Sequence, residues 1–362
     1  MPPTRIEVAA SAGAYPVVIG SGSLQTLRRL LDQADLGPRR ILVSSPVVWG
    51  FHGELLRHAS SEPQPILIPD GERFKNSVTV GRVYESLITM AADRSSVIVA
   101  AGGGVVGDLV GFAAATYLRG VRLVQIPTTV MAQVDSAIGG KVGINHALGK
   151  NLIGAFHPPR LVVSDPVVLK TLPRREFRAG LYEVVKYGVI ASRSLFERVV
   201  GSLPALFARD EVVLTEVIAE SCRIKAGIVS ADERESGLRR VLNFGHTIAH
   251  ALETVTKYRR FRHGEAVAYG MLAAMHLGNA RGVTPPDARD QLANAVAKLG
   301  PLPPVADLSA KEIVGAVAHD KKIVDGTLHF VAATTIGATT TLKDVTEKEL
   351  KAALKQLGIK KA

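Results

Sequence analysis

Cysteine is nearly missing from this chain. Among 362 residues there is one, Cys222. A single thiol excludes a disulfide framework within one chain and any metal site built from cysteine alone. Aromatic residues are also scarce, at 5%. Long apolar runs are absent as well. The uncharged stretches are broken by Gly, Pro, Asp or Arg before they could span a bilayer. The opening residues, MPPTRIEVAA, carry no apolar core of signal-peptide type. The expected compartment is the cytosol. Acidic residues are the minority charge: 33 Asp and Glu stand against 44 Lys and Arg, for a net charge of +11. The basic pairs are scattered (Arg28-Arg29, Arg39-Arg40, Arg174-Arg175, Arg239-Arg240, Lys321-Lys322) and no stripe interleaves them with aromatics. Such a pattern reads as solvated surface, or as a basic protein with a small acidic ligand, rather than a nucleic-acid face. The expectation is therefore no nucleic acid and no membrane.

What is present is a globular composition, 47% hydrophobic and 21% charged, long enough for two domains. Segments 5–10 and 15–19 flank Ser11-Ala12-Gly13 and predict a hairpin. Residues 41–43, 66–68, 97–101, 122–126 and 161–163 are short apolar runs of the buried-strand kind. Helical patterns at 24–32 and 76–92 lie between them. That alternation predicts a Rossmann-like α/β domain over 1–172, with a mainly parallel sheet. After Pro173 the apolar spacing turns helical, at 174–200, 211–230, 241–256, 264–281 and 288–299. A mostly α-helical domain over 173–362 follows, with one late hairpin near 327–332 and 339–342.

The strand at 97–101 runs into Gly102-Gly103-Gly104-Val105-Val106-Gly107-Asp108 and then a helical pattern. Gly102, Gly104 and Gly107 satisfy G-x-G-x-x-G. Missing side chains let backbone approach a pyrophosphate, and a helix N-terminus favours its charge. Alone, the motif fits a plain structural turn equally well. It also departs from the common dinucleotide fingerprint. It falls near residue 100, and the next strand ends in Thr128-Thr129 rather than an acidic residue. Ribose contacts would then come from Asp108, from Thr128 and Thr129, or from the loop Asp70-Gly71-Glu72-Arg73-Phe74-Lys75.

A polar cluster comes next. Asp135 to Asn145, with Gly149-Lys150-Asn151, is rich in glycine, lysine and asparagine and makes a poor helix and a poor strand. It reads as a loop that cradles phosphate or carboxylate with backbone amides and lysine charge.

Histidines supply a third signal. His246 and His250 share one face of a helical pattern, and Glu253 follows one turn later. His263-Gly264-Glu265 opens the next helix, and Glu183 lies on an earlier one with Lys186 a turn away. Histidine and carboxylate ligands suit Zn²⁺. Thr247 stands where a zinc peptidase would carry its general-base glutamate, which argues against that class. Spacing alone does not choose which two of His246, His250 and His263 bind metal.

Together these segments resemble the 3-dehydroquinate synthase family, NAD- and metal-dependent cyclases of the shikimate pathway. The resemblance rests on DGERFK (70–75), GGGVVGDLVGFAAATYLRGV (102–121), QIPTTVMAQVDSAIGGKVGINHALGKNLIG (125–154), GLYEVVKYG (180–188), NFGHTIAHALE (243–253), HGEAVAYGM (263–271) and DKK (320–322). It implies an NAD-binding N-terminal domain and a helical C-terminal domain holding one Zn²⁺ or Co²⁺ per subunit. It assigns Glu183, His246 and His263 as metal ligands. For NAD it points to Asp70, Gly71, Glu72, Arg73, Phe74 and Lys75, to Gly104, Val105, Val106, Gly107 and Asp108, and to Thr128 and Thr129. Lys141, Lys150, Val168, Leu169, Lys170 and Thr171 complete that set. Around the acidic sugar-phosphate substrate it points to Asp135, Lys141, Asn151, Lys186, Lys225, Arg239, Asn243, His250 and Lys321. Arg119 matches a residue that reaches the substrate phosphate of the neighbouring subunit, so a homodimer is expected. The implied reaction turns 3-deoxy-D-arabino-heptulosonate 7-phosphate into 3-dehydroquinate and phosphate. It does so by transient NAD reduction, β-elimination, return of the hydride and aldol closure. Rival expectations are another sugar-phosphate cyclase or a zinc polyol dehydrogenase.

Two departures stand out. Tyr182 precedes the expected metal glutamate where the family usually has a small residue. Ser44-Ser45 stands where an acidic or amide residue often lies near the adenosine ribose.

Overall fold

The computed structural model describes residues 2–318, 323–324 and 327–361. The chain divides into two compact units. One comprises Met1–Pro173 with Arg209–Arg234; the other comprises Arg174–Ala208 with Glu235–Ala362.

The first unit is built on a seven-stranded sheet. Its strands are β1 (Thr4–Val8), β2 (Tyr15–Ile19), β3 (Arg40–Ser44), β4 (Ile66–Leu67), β5 (Val97–Gly102), β6 (Arg122–Pro127) and β9 (Leu161–Ser164), in the order β1-β2-β9-β6-β5-β3-β4. Only β1 and β2 pair antiparallel, as the hairpin reading expects; every other pairing is parallel. Helices α1 (Leu27–Gln33), α2 (Pro46–Leu56), α3 (Ser77–Thr89) and α4 (Gly104–Thr116) connect the strands. Both faces of the sheet are covered. Ile41 and Val43 of β3 join Ile98, Ala100 and Leu123 in a core with residues of α3 and α4. Leu42, between them, joins Val97, Val99 and Val124 in a second core with α1. Side chains alternate across a strand, so burial on two faces demands an unbroken apolar run.

The polar cluster corrects one expectation. Residues 132–136 form a π-helical turn, and β7 (Lys141–His146) pairs antiparallel with β8 (Gly149–Phe156). This is a hairpin, not a loop. Gly143 lies opposite Gly154 in the register. A Cβ on Gly154 would stand 2.5 Å from the Val142 carbonyl oxygen. Glycine, which weakens a strand in isolation, is here what permits the backbones to approach.

The second unit is mostly helical. Helix α5 (Arg174–Ala191) ends where Ser192 caps α6 (Arg193–Gly201), so the long pattern after Pro173 is two helices. After α7 (Leu203–Phe207), α8 (Glu211–Ala231) belongs to the first unit, where it packs on β1 and on the turn at 132–136. The second unit resumes with α9 (His246–Val255), α10 (His263–Ala280), α11 (Pro286–Leu299) and α12 (Ala310–Ala318). Short strands β10 (Ile323–Val324) and β11 (Thr327–Leu328) precede the hairpin β12 (Phe330–Thr335) and β13 (Ala338–Leu342). Helix α13 (Glu347–Gln356) follows. Among the described residues no helix is long and apolar enough to cross a membrane.

Candidate metal centre

Three side chains converge within the second unit. Glu183 lies on α5 and is fully buried. His246 opens α9 directly after Gly245, whose φ of 79° is left-handed. A Cβ there would also meet the backbone nitrogen of Met271 at 2.8 Å, so glycine answers both demands. His263 opens α10. One ligand atom from each of Glu183, His246 and His263 lies within 4.8 Å of the others. The Nε2 atoms of His246 and His263 each stand 3.5 Å from Glu183 Oε1.

The other ring nitrogens face acceptors. His246 Nδ1 is 3.2 Å from the Phe244 carbonyl oxygen, and His263 Nδ1 is 3.4 Å from Glu253 Oε2. An acceptor at Nδ1 favours the proton there and leaves Nε2 as the lone-pair donor. Two imidazoles and one carboxylate fit Zn²⁺ or Co²⁺. Burial works against charge on His263, but Glu253 and Glu183 outweigh it and push the ring up to about 10. A metal entering here displaces a proton.

His250 sits beside this group, its ring 5.6 Å from that of His246 and 6.1 Å from that of His263. Lys186, also buried, places Nζ 2.5 Å from Glu183 Oε2. Arg239 is buried in a short 3-10 turn, Leu238–Asn243, and Asn243 Nδ2 donates to Glu235 Oε1 at 2.6 Å. Tyr182 is fully buried, and its hydroxyl donates to the Gly300 carbonyl at 3.2 Å. Burial pushes that phenol up to about 12. Lys321 lies outside the described residues.

A second polar cluster occupies the first unit. Gly104–Asp108 forms the start of α4. Lys75, buried after the turn Glu72–Phe74, donates to Asp108 Oδ2 and Asn151 Oδ1, both at 2.5 Å. Burial raises Asp108 above the usual carboxylate range, against the pull of Lys75. Asn145 links the loop at Asp70–Phe74 to the β7–β8 hairpin: its Nδ2 donates to Glu72 Oε1, and its Oδ1 accepts from the Asn151 amide. Lys150 Nζ is 3.8 Å from Glu72 Oε1, and Lys141 begins β7. The Thr128 amide donates to Gly102 O, and Thr129 Oγ1 accepts from the Ala132 amide. Asp135 and Lys225 pair at 2.5 Å. Val168, Leu169, Lys170 and Thr171 lie in the 3-10 turn Pro166–Thr171, where Thr171 Oγ1 meets His52 Nε2 at 2.9 Å. Ser44 spends its hydroxyl on the Ala101 carbonyl, and Ser45 caps α2.

Arg119 lies elsewhere in that unit. With Arg94, Arg122, His157 and Arg160 it lines a cleft of about 230 Å³. Arg122 begins β6 and Arg160 precedes β9, so this is the amino edge of the sheet. The glycine turn lies at the carboxyl end of β5, the opposite edge.

Sequence reading left Glu235 and Glu253 outside the site. Glu253 carried a faint signal, its helical spacing from His246 and His250. Glu235 carried none, because its link to Asn243 depends on the turn between them.

The comparisons with known proteins agree along the whole chain. The model of the 3-dehydroquinate synthase N-terminal region matches residues 65–179, and that of the C-terminal region matches residues 180–323. The 3-dehydroquinate synthase of a Synechococcus species is 46% identical, covering 98% of this chain and 99% of its own. That of Geotalea uraniireducens is 44% identical, covering 94% and 97%. Among solved structures, the 2-epi-5-epi-valiolone synthase of Streptomyces hygroscopicus, with NAD⁺ and Zn²⁺ bound, matches with a TM-score of 0.85. It is 29% identical and covers 95% of this chain and 96% of its own. A 2-deoxy-scyllo-inosose synthase complexed with carbaglucose-6-phosphate, NAD⁺ and Co²⁺ gives the same TM-score at 25% identity, covering 98% and 99%. Two family regions matched in order, and full-length relatives at such identity, leave one assignment: this chain belongs to the 3-dehydroquinate synthase family.

Proposed function

We propose that the protein converts 3-deoxy-D-arabino-heptulosonate 7-phosphate to 3-dehydroquinate and phosphate, with NAD and one Zn²⁺ or Co²⁺ per subunit. The observation that carries this reading is the convergence of Glu183, His246 and His263 in a chain of this family. Bound NAD would supply a reversible hydride acceptor for C5, so that there would be no net oxidation. The metal supplies a Lewis acid for the C5 oxygen.

The remaining work falls to the chain's own groups. Lys186, buried beside Glu183, is read as the cation that meets negative charge developing on the substrate oxygen. Lys141, Lys225, Arg239 and Lys321 are read as partners of the substrate carboxylate and phosphate. Asp135, Asn151, Asn243 and His250 orient its hydroxyls. The substrate's own phosphate takes the C6 proton as it leaves. The first unit is read as the NAD-binding part, through Asp70–Lys75, Gly104–Asp108, Thr128, Thr129, Lys150 and the turn at 168–171. Arg119, on the sheet edge away from the glycine turn, faces outward and is read as serving a partner subunit in a cytosolic homodimer.

The test is phosphate release from the heptulosonate phosphate with NAD and Zn²⁺, while absorbance at 340 nm is followed. Stoichiometric phosphate, 3-dehydroquinate as product and no accumulating NADH support the reading. The structure complexed with carbaglucose-6-phosphate supports one alternative, a non-carboxylated sugar phosphate as substrate. Phosphate released only from a sedoheptulose or hexose phosphate would establish it.

A further inference from the structure

We propose that Glu265 is a positioning residue for the metal triad, fixing α10 against α5 so that His263 meets Glu183. The inference rests on the metal reading of Glu183, His246 and His263.

Helix α10 is held close to two neighbours by glycine. A Cβ on Gly264 would stand 1.8 Å from the Ala179 carbonyl oxygen of α5, and one on Gly270 would stand 1.8 Å from the Gly245 carbonyl oxygen. Ala179 lies one turn before Glu183, and Gly245 directly precedes His246. The backbones that carry the other two ligands, Glu183 and His246, are therefore in direct contact with α10, the helix of His263. Contact between bare backbones brings helices near, but it is not directional. A slide or rotation of α10 would carry His263 away from Glu183.

Glu265 supplies the missing direction. It is fully buried, two residues past His263. Arg175 Nε donates to its Oε1 and Arg175 Nη2 to its Oε2, both at 2.7 Å. This planar two-point pairing fixes angle as well as distance. Arg178 Nη2 adds charge 3.6 Å from Oε1. Both arginines belong to α5, the helix of Glu183. The same carboxylate accepts from the Arg262 amide at 2.9 Å, closing the N-terminus of α10 beside His263. One side chain thus ties the start of the His263 helix to the Glu183 helix. Buried ion pairs add little net stability, and their best-attested use is to specify register.

The experiment uses the full chain and Co²⁺ alone. Affinity is read by equilibrium titration, and ligand geometry by the visible absorption of bound Co²⁺. Glu265→Gln is expected to weaken Co²⁺ binding by about tenfold or more and to alter the band, the range found for outer-sphere partners of metal ligands. Arg175→Lys keeps the charge at a half-exposed position but loses the fork, and it guards against a misfolded Glu265 variant. It is expected to show the same altered band and a several-fold weaker affinity, with the melting temperature of the metal-free protein nearly unchanged. Arg281→Lys is the control. Arg281 makes an equally forked pair with Glu349 at the other end of α10, away from the ligands, and its loss should leave Co²⁺ binding as in the unaltered protein. Unchanged affinity and band in both Glu265→Gln and Arg175→Lys would overturn the proposal. Failure of the unaltered protein to bind Co²⁺ would instead overturn the metal reading, and this inference with it.

Discussion

Glu253 stands 3.4 Å from Nδ1 of His263, while Nε2 of the same ring stands 3.5 Å from Glu183. The two ring nitrogens thus have separate tasks. A carboxylate behind a ligating imidazole sets its tautomer and raises its basicity. Glu253→Gln is therefore expected to weaken Zn²⁺ binding by about tenfold or more. Competition against a chromogenic chelator measures it, and unchanged affinity would remove Glu253 from the centre.

Replacing the ligand itself should be more severe. His263→Ala leaves two of three protein ligands, and Zn²⁺ binding and turnover are expected to vanish together. The ring is partly exposed at the helix start, so far-UV circular dichroism should remain native. An active variant with full metal content would refute the ligand assignment.

Helix α10 tolerates no methyl group at Gly270. The added carbon would lie 1.8 Å from the Gly245 oxygen, and neither backbone can yield without moving His246. Gly270→Ala is expected to cost about 3 kcal/mol or more, at the upper end of overpacking. Chemical denaturation compares the two proteins, and equal midpoints and slopes would contradict the contact.

Cys222 is expected to be inert. It is fully buried in α8, its Sγ donates to the Gln133 carbonyl, and burial pushes the thiol up to about 12. Reactivity requires thiolate and access. An aromatic disulfide reagent at pH 8 should label the native protein far more slowly than the protein in guanidinium, which should take one equivalent. Fast native labelling would count against this burial.

Acid should loosen α13 before the core. Arg281, then Thr346, hold Glu349 down to about 2, below the ordinary value of about 4.3 for a glutamate. A carboxylate lowered on folding adds stability above its unfolded pKa, and that stability is lost as pH falls through the folded one. Amide exchange in α13 should therefore accelerate between about pH 4 and pH 2 relative to the sheet. Arg281→Lys should move that onset to higher pH. An onset that does not move would assign the acid response to other carboxylates.

Much of this protein was legible along the chain. A strand buried on both faces must be apolar throughout, and a strand, glycine turn and helix in succession constrain the backbone locally. The parallel sheet, the start of α4 and the histidines as metal candidates follow from such signals within one or two turns. What the tertiary structure decided is which distant groups meet. Spacing alone left three histidines for two places, and packing of α5, α9 and α10 brought His246 and His263 to Glu183. Packing also turned a glycine-rich polar stretch into the β7–β8 hairpin, placed α8 with the first unit so that Lys225 meets Asp135, and set Glu253 behind His263. The physical reason is range. Local patterns report the torsional and solvent preferences of neighbouring residues. Ligand triads and buried ion pairs depend on contacts between elements far apart in the chain, and those distances exist only once the cores have packed.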